Sequence, residues 1–239
     1  MEMISVLCCI QARCGSKRLP EKVIKKINGE PLITHIIRRL KKCRDVDKIV
    51  LATSRSSEND ILEKIAVEEN IDVSRGPEDD VLERFHDVSE KYGPDHIVRV
   101  CADNPLIDPV EVDRIIRHHI ARDADYSFNH IPGMGNNYPD GIGAEIFKKH
   151  VLEKIKSAAT SNEEKEHINE YVWNNMDEFH IETLSAPEEI AYPSYRFDVD
   201  TREDLDFIRW IYGNLCREAY PCTGKIIEFL ERHRGEGGL

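Results

Sequence analysis

The 239-residue chain is short of several things that would send it to familiar classes. No apolar run approaches the ~20 residues that cross a bilayer, so no membrane partner is expected. Positive charge is in deficit: 33 Lys and Arg face 45 Asp and Glu, a formal net charge of -12. That balance argues against nucleic acid, whose phosphate backbone calls for broad basic surface. The seven cysteines are odd in number and contain no CxxC pair, which points to reduced thiols and no cysteine metal cluster. The first ten residues lack the basic start and small-residue cleavage site of a secretory signal, so a cytoplasmic location is expected. Repeats are missing, and only the tail "RGEGGL" reads as disordered.

What is present is a globular composition, 40% hydrophobic and 33% charged, in a chain long enough to bury a core as one large domain. Against the acidic background, residues 8–22, "CCIQARCGSKRLPEK", stand out. An apolar strand runs into a loop with four cations, Arg13, Lys17, Arg18 and Lys22. Such a loop is either a solvated turn or a seat for one small anionic ligand. It is not a P-loop, because GxxxxGK[ST] is missing and Gly15 is its one glycine.

The first half alternates strands with helices. "KIVLATS", "IDVSRG" and "HIVRVC" read as strands, and "PLITHIIRRLKKC", the stretch around Ile61–Ala66, "DDVLERFHDVSEKYG" and "DPVEVDRIIRHHIA" read as helices. Asp108 is placed as N-cap of the last, with Pro109 at its first position. This alternation predicts an α/β fold, a mostly parallel doubly wound sheet. The pattern then changes. "FNHIPGMGNNYPDGIG" reads as a mobile loop or lid, "EEKEHINEYVWNNM" as one helix, and "FHIETLSA" as an exposed antiparallel strand with no evident partner. Residues ~131–190 are taken as an α+β subdomain inserted in a single domain spanning 1–239. "YRFDVDT" is expected to return to the sheet, ahead of the helices "REDLDFIRWIYGNL" and "GKIIEFLERH".

Ligand crevices of α/β sheets form where loops leave the carboxyl ends of parallel strands. Three charged groups fall at such ends: the basic loop, Asp103 after "HIVRVC", and Asp198 with Asp200 around "FDVDT". Cations for phosphate oxygens plus separated carboxylates suit a nucleoside triphosphate with Mg²⁺. Taken singly, Asp103 could close a turn before Pro105, and Asp200 could cap a helix with Thr201 and Asp204.

"IQARCGSKRLPEKVIKKINGEPLITHII" resembles the opening of the cytidylyltransferases that activate acidic sugars, the acylneuraminate and ketodeoxyoctonate group. Their pattern is A-R-x-x-S-x-R-L-P-x-K followed by G-x-P-L-I. "RGPEDDVLERF", "ADNPLID", "PDGIGAEIF", "EHINEY" and "DVDTREDL" resemble later blocks of the spore coat polysaccharide biosynthesis protein F branch, in order and over nearly the whole chain. The resemblance implies a nucleotide-diphospho-sugar transferase-like fold and transfer of CMP from CTP to an acidic sugar, or a sugar-like or phosphate acceptor, with release of pyrophosphate. It implies that Ala12, Arg13, Ser16, Arg18, Lys22, Thr53, Arg75, Asp80 and Cys101 contact the nucleotide, with Arg13, Lys22, Asp103 and Asp200 catalytic. Asp103 and Asp200 would hold Mg²⁺, with Asp198 as third or outer ligand. Asp140, Glu145 and His167 would lie near a small acidic acceptor, in an insertion that also joins a homodimer. Cys101 departs from the polar residue common there, and Lys165 from a usual arginine. Two other classes fit parts of the pattern: a glycosyltransferase using "DVD" to hold a nucleotide-sugar through a metal, and a non-catalytic CTP-binding regulator.

Overall fold

The computed structural model describes residues 5–131, 134–215 and 220–234. Strand β1 (Val6–Gln11) is buried on both faces, as a strand of unbroken apolar side chains must be. Cys8 and Ile10 enter one core layer, and Leu7 and Cys9 the other. A short hairpin, β2 (Lys26–Ile27) with β3 (Glu30–Pro31), leads into α1 (Leu32–Leu40). Then follow β4 (Lys48–Ser54), α2 (Asp60–Glu68), β5 (Asp72–Gly76), α3 (Val81–Tyr92), β6 (His96–Cys101), α4 (Pro109–Arg122) and β7 (Tyr126–Phe128). The remainder is β8 (Glu145–Lys148), α5 (Lys149–Ala158), α6 (Asn162–Glu166), α7 (Glu170–Asn174), β9 (Ile181–Thr183), α8 (Arg202–Leu215) and α9 (Thr223–Arg232).

Seven strands form one sheet in the order β5-β4-β1-β6-β8-β7-β9. β5, β4, β1 and β6 are mutually parallel, β8 runs antiparallel between β6 and β7, and β9 pairs parallel with β7. Apolar side chains of α1, α2, α4, α8 and α9 cover one face, and those of α3, α5 and α7 the other. The doubly wound, mostly parallel sheet expected from the alternation is present.

Several local expectations need correction. "FHIETLSA" supplies β9, which is parallel and already paired within the chain. "YRFDVDT" is not a strand: it is an extended segment tied by one isolated bridge, Arg196 to Asp140, and by the Val199 amide donating to the Asp103 carbonyl at 2.8 Å. "EEKEHINEYVWNNM" breaks into α6 and α7 at His167, where the backbone leaves helical geometry and buried Ile168 turns inward. The supposed lid is anchored by buried Asn129, Asn136 and Tyr138, with Tyr138 donating to the Glu111 carboxylate. Gly141 is required there: at φ 85 a Cβ would stand 2.5 Å from the Asp198 amide nitrogen. Of residues 131–190, β8 enters the middle of the sheet and β9 its edge, while α5 and α6 pack beside α3. Pro132, Gly133 and residues 235–239 of the tail lie outside the described residues.

Asp108 shows how the ends of the fold are clamped. It caps α4 by accepting from the Val110 amide at 3.0 Å, as the sequence pattern predicts. Its other oxygen accepts from the amide and hydroxyl of Thr223 at 2.8 and 2.7 Å, which fixes the start of α9. Replacing Asp108 with Ala removes a helix cap and leaves buried donors unmet. The expected loss is about 2–4 kcal/mol of unfolding free energy by urea denaturation. Exposed Glu68→Ala should shift it by less than ~0.5 kcal/mol.

Candidate active site

The loop after β1 does not hang free. The Cys14 amide donates to Asn59 Oδ1 at 2.8 Å, and Asn59 Nδ2 donates to Ser54 Oγ at 2.6 Å inside the protein. Buried Cys14 and Leu19 pin the loop to the core, while its polar side chains stay at the surface. They border a cavity of about 480 Å³ that opens at the carboxyl ends of β1 and β6. Ala12, Arg13, Ser16, Lys17, Arg18 and Lys22 form one wall; Cys101, Asp103, Asp200, Glu166 and His167 stand on the others.

At its floor Lys22 joins its own loop to two distant segments. Its Nζ donates to Asp103 Oδ2 at 3.0 Å, to Asp200 Oδ1 at 3.1 Å and to the Val199 carbonyl at 2.7 Å. Burial works against this ammonium, but the two carboxylates outweigh it and push its pKa up, so Lys22 stays charged. Arg18 pairs with the other Asp200 oxygen at 2.8 Å, from a side chain 70% exposed, so this contact is weak. Arg13 donates to Glu166 at 2.9 Å and lies 3.8 Å from Glu78. Each of these cations therefore rests on a carboxylate that an incoming phosphate can replace.

Other expected site residues stand elsewhere. Asp198 is gripped by Arg196, whose Nε donates to Oδ1 at 2.9 Å. Asp140 sits beside Asp198 and outside the cavity wall; burial and the Asp198 charge push its carboxyl up. Arg75 pairs with Asp60 at 2.8 Å and Glu63 at 2.9 Å, which ties β5 to α2. Asp80 caps α3, accepting from the Glu83 amide at 2.7 Å, and Thr53 is buried at the end of β4. The structure thus brings Ala12, Arg13, Ser16, Arg18, Lys22, Cys101, Asp103, Asp200 and His167 around one cavity. It leaves Thr53, Arg75, Asp80, Asp140 and Asp198 off its walls.

Glu145 is buried behind the cavity, not open to it. One of its oxygens accepts from Arg99 Nη1 at 2.6 Å and lies 3.0 Å from His130 Nε2. Arg99 is a residue that sequence reasoning missed. The signal was an arginine in the middle of the apolar strand "HIVRVC", since a charge is buried there only with a partner. Glu166, which holds Arg13, was likewise missed.

A cytidylyltransferase family model matches residues 7–218. The chain is 32% identical over 236 residues to the spore coat polysaccharide biosynthesis protein SpsF of Bacillus subtilis (strain 168), covering 97% of this chain and 96% of that protein. Its structure resembles a cytidylyltransferase from Leptospira borgpetersenii serovar Hardjo-bovis (strain JB197), with TM-score 0.88, 28% identity and coverage of 96% and 95% of the two chains. The fold is also that of a CMP:2-keto-3-deoxy-manno-octonic acid synthetase complexed with CTP, at TM-score 0.65 and 17% identity over 87% of this chain and 98% of that one.

The Arg99–Glu145 pair carries its own test. Burial alone would raise the Glu145 pKa, but Arg99 and then His130 outweigh it and hold it at about 2, below its ordinary 4.5. A depressed carboxyl pKa contributes stability that is present above 4.5 and is lost as pH falls through about 2. Glu145→Gln should therefore cost about 3 kcal/mol at pH 7. In denaturant titrations its gap from wild type should close progressively below pH 4.5. A gap independent of pH would mean that the carboxylate charge contributes nothing.

Proposed function

The chain belongs to the cytidylyltransferase family, and from that premise we propose that an oxygen of a small acidic, sugar-like acceptor attacks the α-phosphate of CTP in line, with pyrophosphate leaving. The observation that carries this reading is the floor of the cavity. Two carboxylate oxygens, of Asp103 and Asp200, converge within 3.0 and 3.1 Å of a single cationic nitrogen, beneath a loop of further cations. Such a transfer asks little covalent chemistry of the protein; positioning and charge stabilisation do most of the work.

Asp103 and Asp200 fit Mg²⁺ as hard oxygen donors that already share one cation position, with Lys22 Nζ as the cation in it. Among the described residues no three His, Cys, Asp or Glu side chains gather around one point, so phosphates and water would complete the shell. Asp198, gripped by Arg196, is the outer member of the group. The ion would supply charge neutralisation at the phosphate oxygens. Lys22 would act on the triphosphate as a point charge, and Arg13 and Arg18 would hold its oxygens through paired N–H donors. His167, which lines the cavity next to Glu166 at the end of α6, is assigned to the acceptor in this proposal. The names of SpsF and of the octonic acid synthetase support a sugar acid destined for a surface polysaccharide. The enzyme is placed in the cytoplasm, where CTP is made.

A homodimer belongs to the same proposal. Among the described residues β9 ends the sheet with one side unpaired, and such edges are commonly closed by a second copy across a two-fold axis. Light scattering should read two chains per particle, and a monomer at working concentration refutes it.

The reaction is tested by pyrophosphate release from CTP over a panel of sugar acids. Asp103→Asn and Asp200→Asn should each cut turnover on the order of a thousandfold with an unchanged circular dichroism spectrum. Near wild-type turnover in both would reduce these carboxylates to partners of Lys22.

A further inference from the structure

Behind the phosphate loop, the inner wall of the cavity carries a second polar group that the reaction at the α-phosphate does not use. Arg99 and Glu145 stand opposite each other in the β6–β8 register, and both side chains are almost fully buried. Arg99 Nη1 donates to Glu145 Oε1 at 2.6 Å, and Arg99 Nε donates to Gln11 Oε1 at 3.0 Å. Both bonds lock the guanidinium in place. The third donor group, Nη2, has no acceptor among the described residues, and it is not among the atoms sealed inside the protein. Arg99 is itself part of the cavity wall.

Gln11 is turned by the same contact. Because Arg99 Nε–H requires an acceptor, the Gln11 carboxamide must present its oxygen inward, which leaves its NH₂ free to donate. Gln11 lines the cavity too. The wall therefore offers two neighbouring N–H donors on rigid supports, at the end of β1 and on β6.

We infer that Arg99 Nη2 and Gln11 Nε2 together seat the carboxylate of the acceptor. This rests on the reaction proposed above and names the residues that recognise the acid group of its second substrate. Two adjacent donors match the two oxygens of a planar carboxylate. Charge selects between anions. The positive charge of Arg99 is balanced by buried Glu145, so the wall gives directed hydrogen bonds with no surplus charge. A monoanion held by two bonds suits such a wall. A carboxylate brings one charge to this neutral wall and a dianionic phosphate brings two, so the carboxylate is the less costly guest. The seat lies two residues before Cys101 and four before Asp103 on β6, so a bound acceptor extends from it towards the phosphate site. Glu145 acts through Arg99 as a positioning residue.

The test measures CTP binding by calorimetry and pyrophosphate release with three sets of probes. These are sugar acids (2-keto-3-deoxy-manno-octonic acid and N-acetylneuraminic acid), hexose 1-phosphates and neutral hexoses. Turnover is expected with a sugar acid and with none of the others. Arg99→Gln alone strands the Glu145 charge in the core, so the informative variant is the double replacement Arg99→Gln with Glu145→Gln, which removes both charges together. It should raise the KM for the sugar acid roughly ten- to a hundredfold. Its kcat and its affinity for CTP should stay near wild type. Gln11→Leu should move the KM in the same direction. Turnover only with a phosphate or a neutral sugar, no turnover with either acid while CTP still binds, or an unchanged KM in the double variant each overturns the seat. Failure of the wild-type protein to bind CTP overturns the underlying reaction instead.

Discussion

One ammonium group holds the active end of this protein together. Lys22 Nζ bonds at once to the carboxylate of Asp103, the carboxylate of Asp200 and the carbonyl of Val199, groups 81, 178 and 177 residues away in the chain. The basic loop, the end of β6 and the extended segment before α8 are all joined at that one nitrogen. Two carboxylates so close would repel strongly without a cation between them. The free protein meets that requirement with its own side chain, and the substrate complex can meet it with a divalent ion. Under the proposed reaction, such an exchange would let the site stay folded when empty and turn cationic towards the triphosphate when filled.

The same economy of charge recurs around the cavity. Arg13 leans on Glu166 and Glu78, Arg18 on Asp200, and Arg99 on Glu145. The pairs of Arg13 and Arg18 are partly open to solvent, so they are weak and exchangeable. The last is buried, so breaking it by removing one partner is costly. Burial thus divides the cations into those that can turn to a ligand and one that holds its position. A net charge of -12 on the whole chain is compatible with anion binding because four cations, Arg13, Lys17, Arg18 and Lys22, gather on one loop.

What was legible in the sequence was local. The cap at Asp108 and the helices α8 and α9 follow from signals within a few residues, and the structure keeps them. The cation loop was legible because its spacing is unusual for an acidic chain. Strand partners were not legible. Ile181–Thr183 alternates like an edge strand, but its parallel pairing with β7 depends on a chain path that no local pattern encodes. "FDVDT" has strand composition, yet its hydrogen bonds go to Asp103 and Asp140, so it stays an extended segment. Arg75 was assigned to the nucleotide from its block, while Asp60 and Glu63 on α2 compete for it in space. The Asp-x-Asp string that suggested a glycosyltransferase holds two differently placed residues: Asp198 is gripped by Arg196, while Asp200 is held by Lys22 and Arg18 with Arg196 at 3.5 Å.

The central claim is that the Lys22 ammonium stands where a divalent cation binds. It is tested most directly by titrating Mn²⁺, a paramagnetic stand-in for Mg²⁺, into the nucleotide-free protein and following the free ion by electron paramagnetic resonance. Lys22→Met removes the competing charge and leaves Asp103 and Asp200 facing each other. The variant is expected to bind one Mn²⁺ at least roughly tenfold more tightly than wild type, as removal of a like charge from so close a site requires. Equal affinity in the two proteins, with the variant folded, would contradict the account.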